Sequence, residues 1–379
     1  MKACWTRACG WFGFLAVLAA GLEFALRHAD WSYTPHAVRD VRWSVAEDRR
    51  MLEGTSLYAF HPHQLWAPRP GALLPWTSGE RFNADGYRGP QLNIERPTKT
   101  LRIAVLGGAA AMGKGVRHED TFAALMGRYV SERIMPTEVM NLGVENFSAR
   151  QCLERYRDLA RPYRPHVVIL SLRLEPSYRE APGGTSDDEK IRRSRALGDA
   201  GQPRTLSGFA ASRVLQGLHW VDDALDGTYW EDRDFQFQLD RLSRTMGSLD
   251  WPGARRVPID DFYHSLSLLL QETRQDGAHL ILLSIPPAPG ATVPPIRDAY
   301  QQTLTEFAER EKLIYLDGRS AFLDAMREDI VKEDLFTADQ FPSECGHAQL
   351  AEALADIVVR GIMAKSPAPR PKDDGSAPR

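Results

Sequence analysis

The chain has 379 residues, with 47 Lys and Arg against 50 Asp and Glu and a formal net charge of −3. This near balance creates no global field that would attract nucleic acid, so nucleic acid is not an expected partner. An apolar fraction of 43% is typical of a folded globular protein. The four cysteines form no Cys-x-x-Cys pair, and their spacing predicts neither a metal site nor a disulfide framework. No cofactor is expected.

The first 29 residues predict a membrane segment. An apolar run over 8–26 follows Lys2 and Arg7, and Glu23 is its only interruption. A run of about 18 residues is at the short end of what a membrane-spanning helix needs. Positive charges before it favour a cytoplasmic N-terminus, with the rest of the chain exported. A signal peptide cleaved near 18–21 and a buried first helix of a cytosolic protein are the alternatives.

Residues 30–98 are rich in Trp, Pro, Gly and Arg. Turn signals this dense predict short strands and loops, so we expect an irregular β-rich appendage packed on the main domain. His61 and His63 would resemble a metal pair only if they shared a strand face, and Pro62 between them is equally consistent with a turn. The sequence therefore predicts no metal site here.

Apolar strands alternate with amphipathic helices over 99–365. The expected strands are 102–106, 138–142, 167–172, 279–285 and 313–316, and the expected helices are 121–134, 149–160, 257–276, 296–312 and 346–362. Continuously apolar strands separated by helices predict a parallel sheet in a three-layer α/β/α sandwich. A charged insertion over 177–256, with a helix at 209–225, is expected above the carboxyl edge of the sheet, where α/β ligand sites lie. The tail over 366–379 is almost free of apolar residues and is expected to be disordered.

Four short segments carry a family resemblance. They are Gly107-Gly108-Ala109, Asn141-Leu142-Gly143, Ser171-Leu172-Arg173-Leu174-Glu175, and Ala338-Asp339-Gln340-Phe341-Pro342 followed by Gly346-His347. With Gly86-Tyr87-Arg88-Gly89 before the first strand, they resemble the SGNH/GDSL esterases, in particular a bacterial subgroup with an N-terminal membrane anchor. The resemblance covers most of 100–362. The resemblance implies the SGNH-hydrolase fold, the α/β/α sandwich expected above. It also implies a single-pass protein of the bacterial inner membrane, with the bulk of the chain on the periplasmic side.

The resemblance also implies which residues would be catalytic, and most of them are replaced. Ala109 stands where the family has its serine nucleophile, and Phe341 stands where it has its histidine base. Ala338 replaces the family's aspartate, and Glu175 replaces its oxyanion-binding asparagine. The family is characterised by four residues, a serine, a glycine, an asparagine and a histidine, and of these only the glycine is kept, as Gly143. The Gly143 N–H could face the ligand site, or the residue could serve a turn with positive φ. A methyl group cannot attack a carbonyl, and an ionised glutamate offers only acceptors where a donor is needed. Because nucleophile and base act as a unit, no catalytic residue is expected.

Three residues are weaker catalytic candidates. Ser148 follows the second strand and could be a nonstandard nucleophile if the fold brings a histidine to it. Shifting the last block by one residue makes Asp339 an acid but supplies no base. His347 matches a histidine that is usually structural in the family.

The sequence thus favours a catalytically degenerate protein that is anchored in the membrane and exported. Its expected ligand is a glycan or acylated polymer, or its partner is an envelope protein. An active esterase or acyltransferase and a structural subunit of a membrane assembly are the alternatives, since fold alone does not establish function.

Overall fold

The computed structural model describes residues 16–29, 31, 57–174, 186–199, 212–225, 255–288, 291, 294–327 and 330–363. The strands are β1 Tyr58–His61, β2 Leu65–Pro68, β3 Leu101–Gly107, β4 Thr137–Asn141, β5 Val167–Leu172, β6 His279–Ser284 and β7 Ile314–Asp317. The helices are α1 over 16–28, α2 Ala109–Met112, α3 Phe122–Arg133, α4 Ala149–Arg155, α5 Asp187–Asp199, α6 Arg213–Leu225, α7 Ile259–Gln275, α8 Pro295–Glu311, α9 Gly318–Arg327 and α10 Glu344–Met363.

Five parallel strands form the central sheet in the order β4-β3-β5-β6-β7. Alternate residues of β3 point to opposite faces of this sheet. Ala104 and Leu106 pack in a core shared with α4, α7 and α8, whereas Ile103 and Val105 pack in a second core shared with α3, α9 and α10. Helices therefore cover both faces, and the predicted three-layer α/β/α sandwich with a parallel sheet is confirmed.

The five predicted strands are found, four of them with ends shifted by one residue and 167–172 unchanged, but several helices differ. The helix expected over 149–160 is α-helical only as far as Arg155 and continues as a π-helical turn, Tyr156–Ala160. The short α2, and the longer α5 and α9, were not predicted. Gly318, which begins α9, reads as a helix breaker, yet a Cβ there would lie 2.7 Å from the Ser284 carbonyl oxygen. Close packing, and not turn formation, explains that glycine.

The described part of the appendage, 57–98, contains the antiparallel hairpin β1-β2 and a series of turns. Its most buried charge is Arg88, whose guanidinium reaches the turn that follows α2. Arg88 Nη1 donates to the carbonyl oxygens of Met112 and Gly113, at 2.9 and 2.6 Å. Nη2 donates to the Val116 carbonyl oxygen at 2.6 Å and to Glu80 at 2.7 Å. The appendage is thereby fastened to the end of the sheet that carries Ala109.

Other predicted segments are described only in part. Of the insertion over 177–256, the structure describes α5, α6 and residue 255 onward, with short flanking segments. Most of the N-terminal apolar run and the whole tail over 366–379 lie outside the described residues. Within the described ranges, no helix is long and apolar enough to cross a bilayer.

Replacing Arg88 by Met tests its role as a fastener. Loss of the buried guanidinium removes one donor from each of three carbonyl oxygens and from Glu80, so we expect a loss of about 2–4 kcal/mol in the free energy of unfolding. The measurement is urea unfolding followed by circular dichroism. Arg81→Met is the matched control, because Arg81 lies on the exposed side of the same segment. Equal effects of the two substitutions would contradict the role assigned to Arg88.

Candidate functional site

The turn at the carboxyl end of β3 carries the position that the family resemblance assigns to a nucleophile. Gly107 has φ 154°, and a Cβ there would lie 2.2 Å from the Ser171 carbonyl oxygen on the neighbouring strand. Gly108 follows in an extended conformation, and Ala109 begins α2 as a buried residue. The functional group at this position is only a methyl, so no attack on a carbonyl can begin here.

The N–H of Gly143, which the sequence offered as a possible donor to a ligand, is already engaged. That N–H donates to the side-chain oxygen of Asn141 at 3.1 Å. Gly143 is also absent from the glycines with positive φ, so the expectation of a left-handed turn residue is wrong. The reason for a glycine is steric, because a Cβ would lie 2.2 Å from the backbone nitrogen of Met112 in α2.

In the last segment an aromatic ring, Phe341, stands at the position that the family resemblance assigns to a base. Phe341 is half-buried, and its loop is closed by a hydrogen bond from Thr337 N–H to the Phe341 carbonyl oxygen at 2.7 Å. Ala338 and Asp339 are exposed. Glu175, assigned to the oxyanion position, lies outside the described residues.

Two cations flank the Phe341 ring. The guanidinium carbon of Arg173 lies 4.9 Å from the ring centroid, and Lys114 Nζ lies 5.5 Å from it. Lys114 also forms an ion pair of 2.5 Å with Glu145. We name Lys114, Glu145, Arg173 and Phe341 the cation–aromatic cluster. Each cation–ring contact contributes about 0.5–1 kcal/mol at a partly exposed position.

The cluster has one residue in or shortly after each of the four family segments, and Phe341 is the one member that the sequence had indicated as a site position. Lys114 follows the first segment, Glu145 the second, and Arg173 belongs to the third. The available signal was a charged residue after each of three strands: Arg173 directly follows β5, Glu145 lies in the turn after β4, and Lys114 follows the short α2 that comes after β3. Since carboxyl ends of parallel strands meet at one edge, these charges could have been expected to converge there.

Ser148 is a structural residue of the α4 terminus. Its side chain accepts from the Gln151 N–H in a capping box, and its hydroxyl donates to Asp187 Oδ2 at 2.7 Å. Asp187 is in turn paired with the buried Arg256 at 3.0 Å. Ser148 is 1% exposed, so a substrate cannot reach it, and among the residues that the structure describes its side-chain partners, Gln151 and Asp187, include no histidine. The condition set for a nonstandard nucleophile is not met.

His347 is buried in the core beneath α3. Its Nδ1 accepts from the Phe122 N–H at 3.1 Å, and the two rings stack with centroids 5.7 Å apart. Burial, and secondarily the charge of Arg88, lowers the pKa of His347 to about 3. The imidazole is therefore neutral and inaccessible near pH 7, which suits a packing role and not proton transfer.

The histidine pair of the appendage is engaged in local bonds. His61 Nδ1 accepts from the backbone N–H groups of His63 and Gln64, each at 3.3 Å. His63 Nδ1 lies 2.9 Å from Asp158 Oδ1. Among the described residues, no three or more His, Cys, Asp or Glu side chains are grouped so that they could hold a metal ion.

Several esterases of known structure are similar to this chain. A G-D-S-L family protein from Desulfitobacterium hafniense DCB-2 has 14% identity and a TM-score of 0.40, over 68% of this chain and 98% of that one. A psychrotrophic esterase from Pseudoalteromonas sp. has 13% identity and a TM-score of 0.41, over 69% and 98%. An acetylxylan esterase from Geobacillus stearothermophilus has 14% identity and a TM-score of 0.40, over 68% and 93%.

No protein-family model and no curated protein sequence matches the chain. The first of these structures is of the G-D-S-L family, the family that the sequence resembles.

His347 should make stability sensitive to mild acid. Its pKa falls from 6.5 to about 3 on folding, so between these values the unfolded state binds a proton that the folded state does not. Stability from this group is therefore fully present above pH 6.5 and is lost as the pH falls towards 3. We expect His347→Asn, which keeps an acceptor for the Phe122 N–H, to lessen the acid dependence of unfolding by up to about 1.4 kcal/mol per pH unit.

The measurement is urea unfolding of both proteins from pH 8 to pH 4.5. The difference in the free energy of unfolding between the two proteins at pH 8 reports packing alone, because the imidazole is neutral in the folded and unfolded states at that pH. A parallel decline of the two proteins with acid would contradict the assignment.

Proposed function

We propose that this chain is a catalytically degenerate SGNH-like protein that binds a ligand or partner where its relatives would cut an ester. The observation that carries the proposal is the identity of the residues at the positions that the family uses for catalysis. Ala109 and Phe341 stand at the nucleophile and base positions, and the Gly143 N–H is taken by Asn141. Nucleophile, base and one oxyanion donor are therefore lacking together, and such groups act as a unit.

The cation–aromatic cluster supports a binding role. A half-buried ring can pack against the apolar face of a sugar or an acyl group, while Lys114 and Arg173 can donate to hydroxyl, ester or acidic oxygens. These chemistries match a glycan or an acylated polymer, which we propose as the ligand class. An envelope protein that presents such groups, or oxygen-rich side chains, is the second candidate.

We further propose that the protein is exported and held in the bacterial inner membrane by a single N-terminal pass. The support is the apolar run over 8–26, preceded by Lys2 and Arg7, together with the family resemblance. A structural subunit of a membrane assembly would share this anchor. It would differ in leaving the cation–aromatic cluster without a ligand.

Restoring the missing groups tests whether the site is degenerate. The full chain, purified in detergent, should give no protein-dependent hydrolysis of p-nitrophenyl acetate. The triple variant Ala109→Ser, Ala338→Asp, Phe341→His should remain weak, because a missing oxyanion donor alone costs about 100- to 1,000-fold in rate. Saturable turnover by the unaltered chain that Ser148→Ala abolishes would establish the active-esterase alternative instead.

Ligand binding is tested by calorimetry with a partly acetylated cello-oligosaccharide as the probe. Phe341→Ala removes the ring and both cation contacts, so we expect about a tenfold weaker Kd, equivalent to 1.4 kcal/mol. Leu323→Ala is the control, since Leu323 is an exposed apolar residue outside the cluster. Binding that is equally strong in the two variants would place the ligand elsewhere, and no binding of this probe would favour the protein partner.

A further inference from the structure

Exposed apolar side chains are concentrated on two helices, α1 and α6. Nine of the fourteen large apolar residues that are exposed in the described ranges lie there. They are Val17, Leu18, Leu22 and Phe24 on α1, and Leu215, Leu218, Trp220, Val221 and Leu225 on α6. A concentration of this kind marks an interaction surface, because scattered single exposures are the ordinary pattern.

A carboxylate joins the two helices. Glu23, the only charge within the apolar run, accepts from the Val214 N–H at 2.9 Å and from the Ser212 hydroxyl at 3.0 Å. Ser212 itself accepts from the Leu215 N–H at 3.3 Å, so both oxygen-bearing side chains cap the first turn of α6. A negative group at this end of a helix is favoured by the helix dipole. Glu23 thus serves as an N-terminal cap supplied by another helix.

Trp31, which lies just beyond the end of α1, also contacts α6. Gly217 of α6 lies against the Trp31 ring, which a Cβ at Gly217 would approach to 3.9 Å. Gln216 is buried, whereas Leu215, Leu218, Val221 and Leu225 follow the spacing of one helix face and are exposed. One side of α6 therefore faces the protein, and an apolar stripe faces outward.

We propose that α1 and α6 together form a membrane-docking surface, in which α6 lies in the lipid headgroup region beside the end of the anchor. The proposal rests on the anchoring proposed above and adds a second, peripheral contact with the bilayer. Helices with one apolar face and a polar face that lie in this plane bury the apolar face at the boundary of headgroups and acyl chains. Trp220 suits the same region, because tryptophan is enriched at membrane–water interfaces.

A bilayer fits this surface better than a protein groove does. On α1 the apolar side chains are exposed all round, and only Glu23 and Leu26 are partly covered. A groove in a partner covers one face of a helix, whereas lipid surrounds it. The apolar sequence also continues towards the N-terminus from α1 to Ala8. Finally, Glu23 is already hydrogen-bonded to α6, so entry into an apolar medium leaves no isolated carboxylate.

The test uses the full chain in lipid nanodiscs with an environment-sensitive fluorophore on a single cysteine. Cys4, Cys9 and Cys345 are replaced by serine, while the buried Cys152 stays. The label is placed by Leu218→Cys, and by Ile94→Cys as the control, because these side chains are 61% and 64% exposed. With brominated phosphatidylcholine, the label at 218 should lose most of its emission and the label at 94 should keep it.

Glu23→Leu separates docking from anchoring. This substitution makes α1 more apolar, so the chain should stay in the nanodisc, but α6 loses its cap and the label at 218 should escape quenching. An unquenched label at 218 in the parent chain, with the chain still in the nanodisc, would overturn the proposal and leave the anchor intact. A label at 218 whose emission reports an apolar environment but is not quenched by bromine would assign the surface to a second copy or another protein. That result would also overturn the proposal. A chain that fails to enter nanodiscs would overturn the anchor itself.

Discussion

The buried guanidinium of Arg88 holds together the end of the sheet where the candidate site lies. It gathers the carbonyl oxygens of Met112, Gly113 and Val116 around one cation. Gly143 packs against the same turn from the other side, where no Cβ would fit. These contacts fix the backbone after β3 without involving the side chain at 109. The conformation of the turn therefore does not depend on a functional group at position 109, which is consistent with the alanine found there.

The sequence predicted the central sheet well because continuously apolar strands and strand-ending glycines are local signals. It did not predict the ion pair of Lys114 with Glu145, or the position of Arg173 over the Phe341 ring, because those contacts join segments far apart in the chain. Ser148 illustrates a different limit. A serine after a strand is equally compatible with a nucleophile and a helix cap, and only its contact with Asp187 distinguishes the two.

The site and the helix pair suggest one use of the fold. In the proposed degenerate site, the carboxyl edge of the sheet carries an aromatic ring in contact with two cations, an arrangement suited to holding a ligand. The proposed docking of α6 would hold the folded domain close to the bilayer, because its cap, Glu23, belongs to the anchor segment. A protein placed in this way would bind a polymer or partner near the membrane surface.

The most direct test of the degenerate site is labelling of the full chain with a fluorophosphonate, a reagent that captures activated serine residues, followed by intact-mass measurement. The account predicts no added mass on the folded protein, because Ala109 offers no hydroxyl, and Ser148 is buried and hydrogen-bonded to Asp187. A chain bearing one phosphonyl group, lost on heat unfolding before labelling, would contradict it. Peptide mapping of the adduct would then identify the nucleophile.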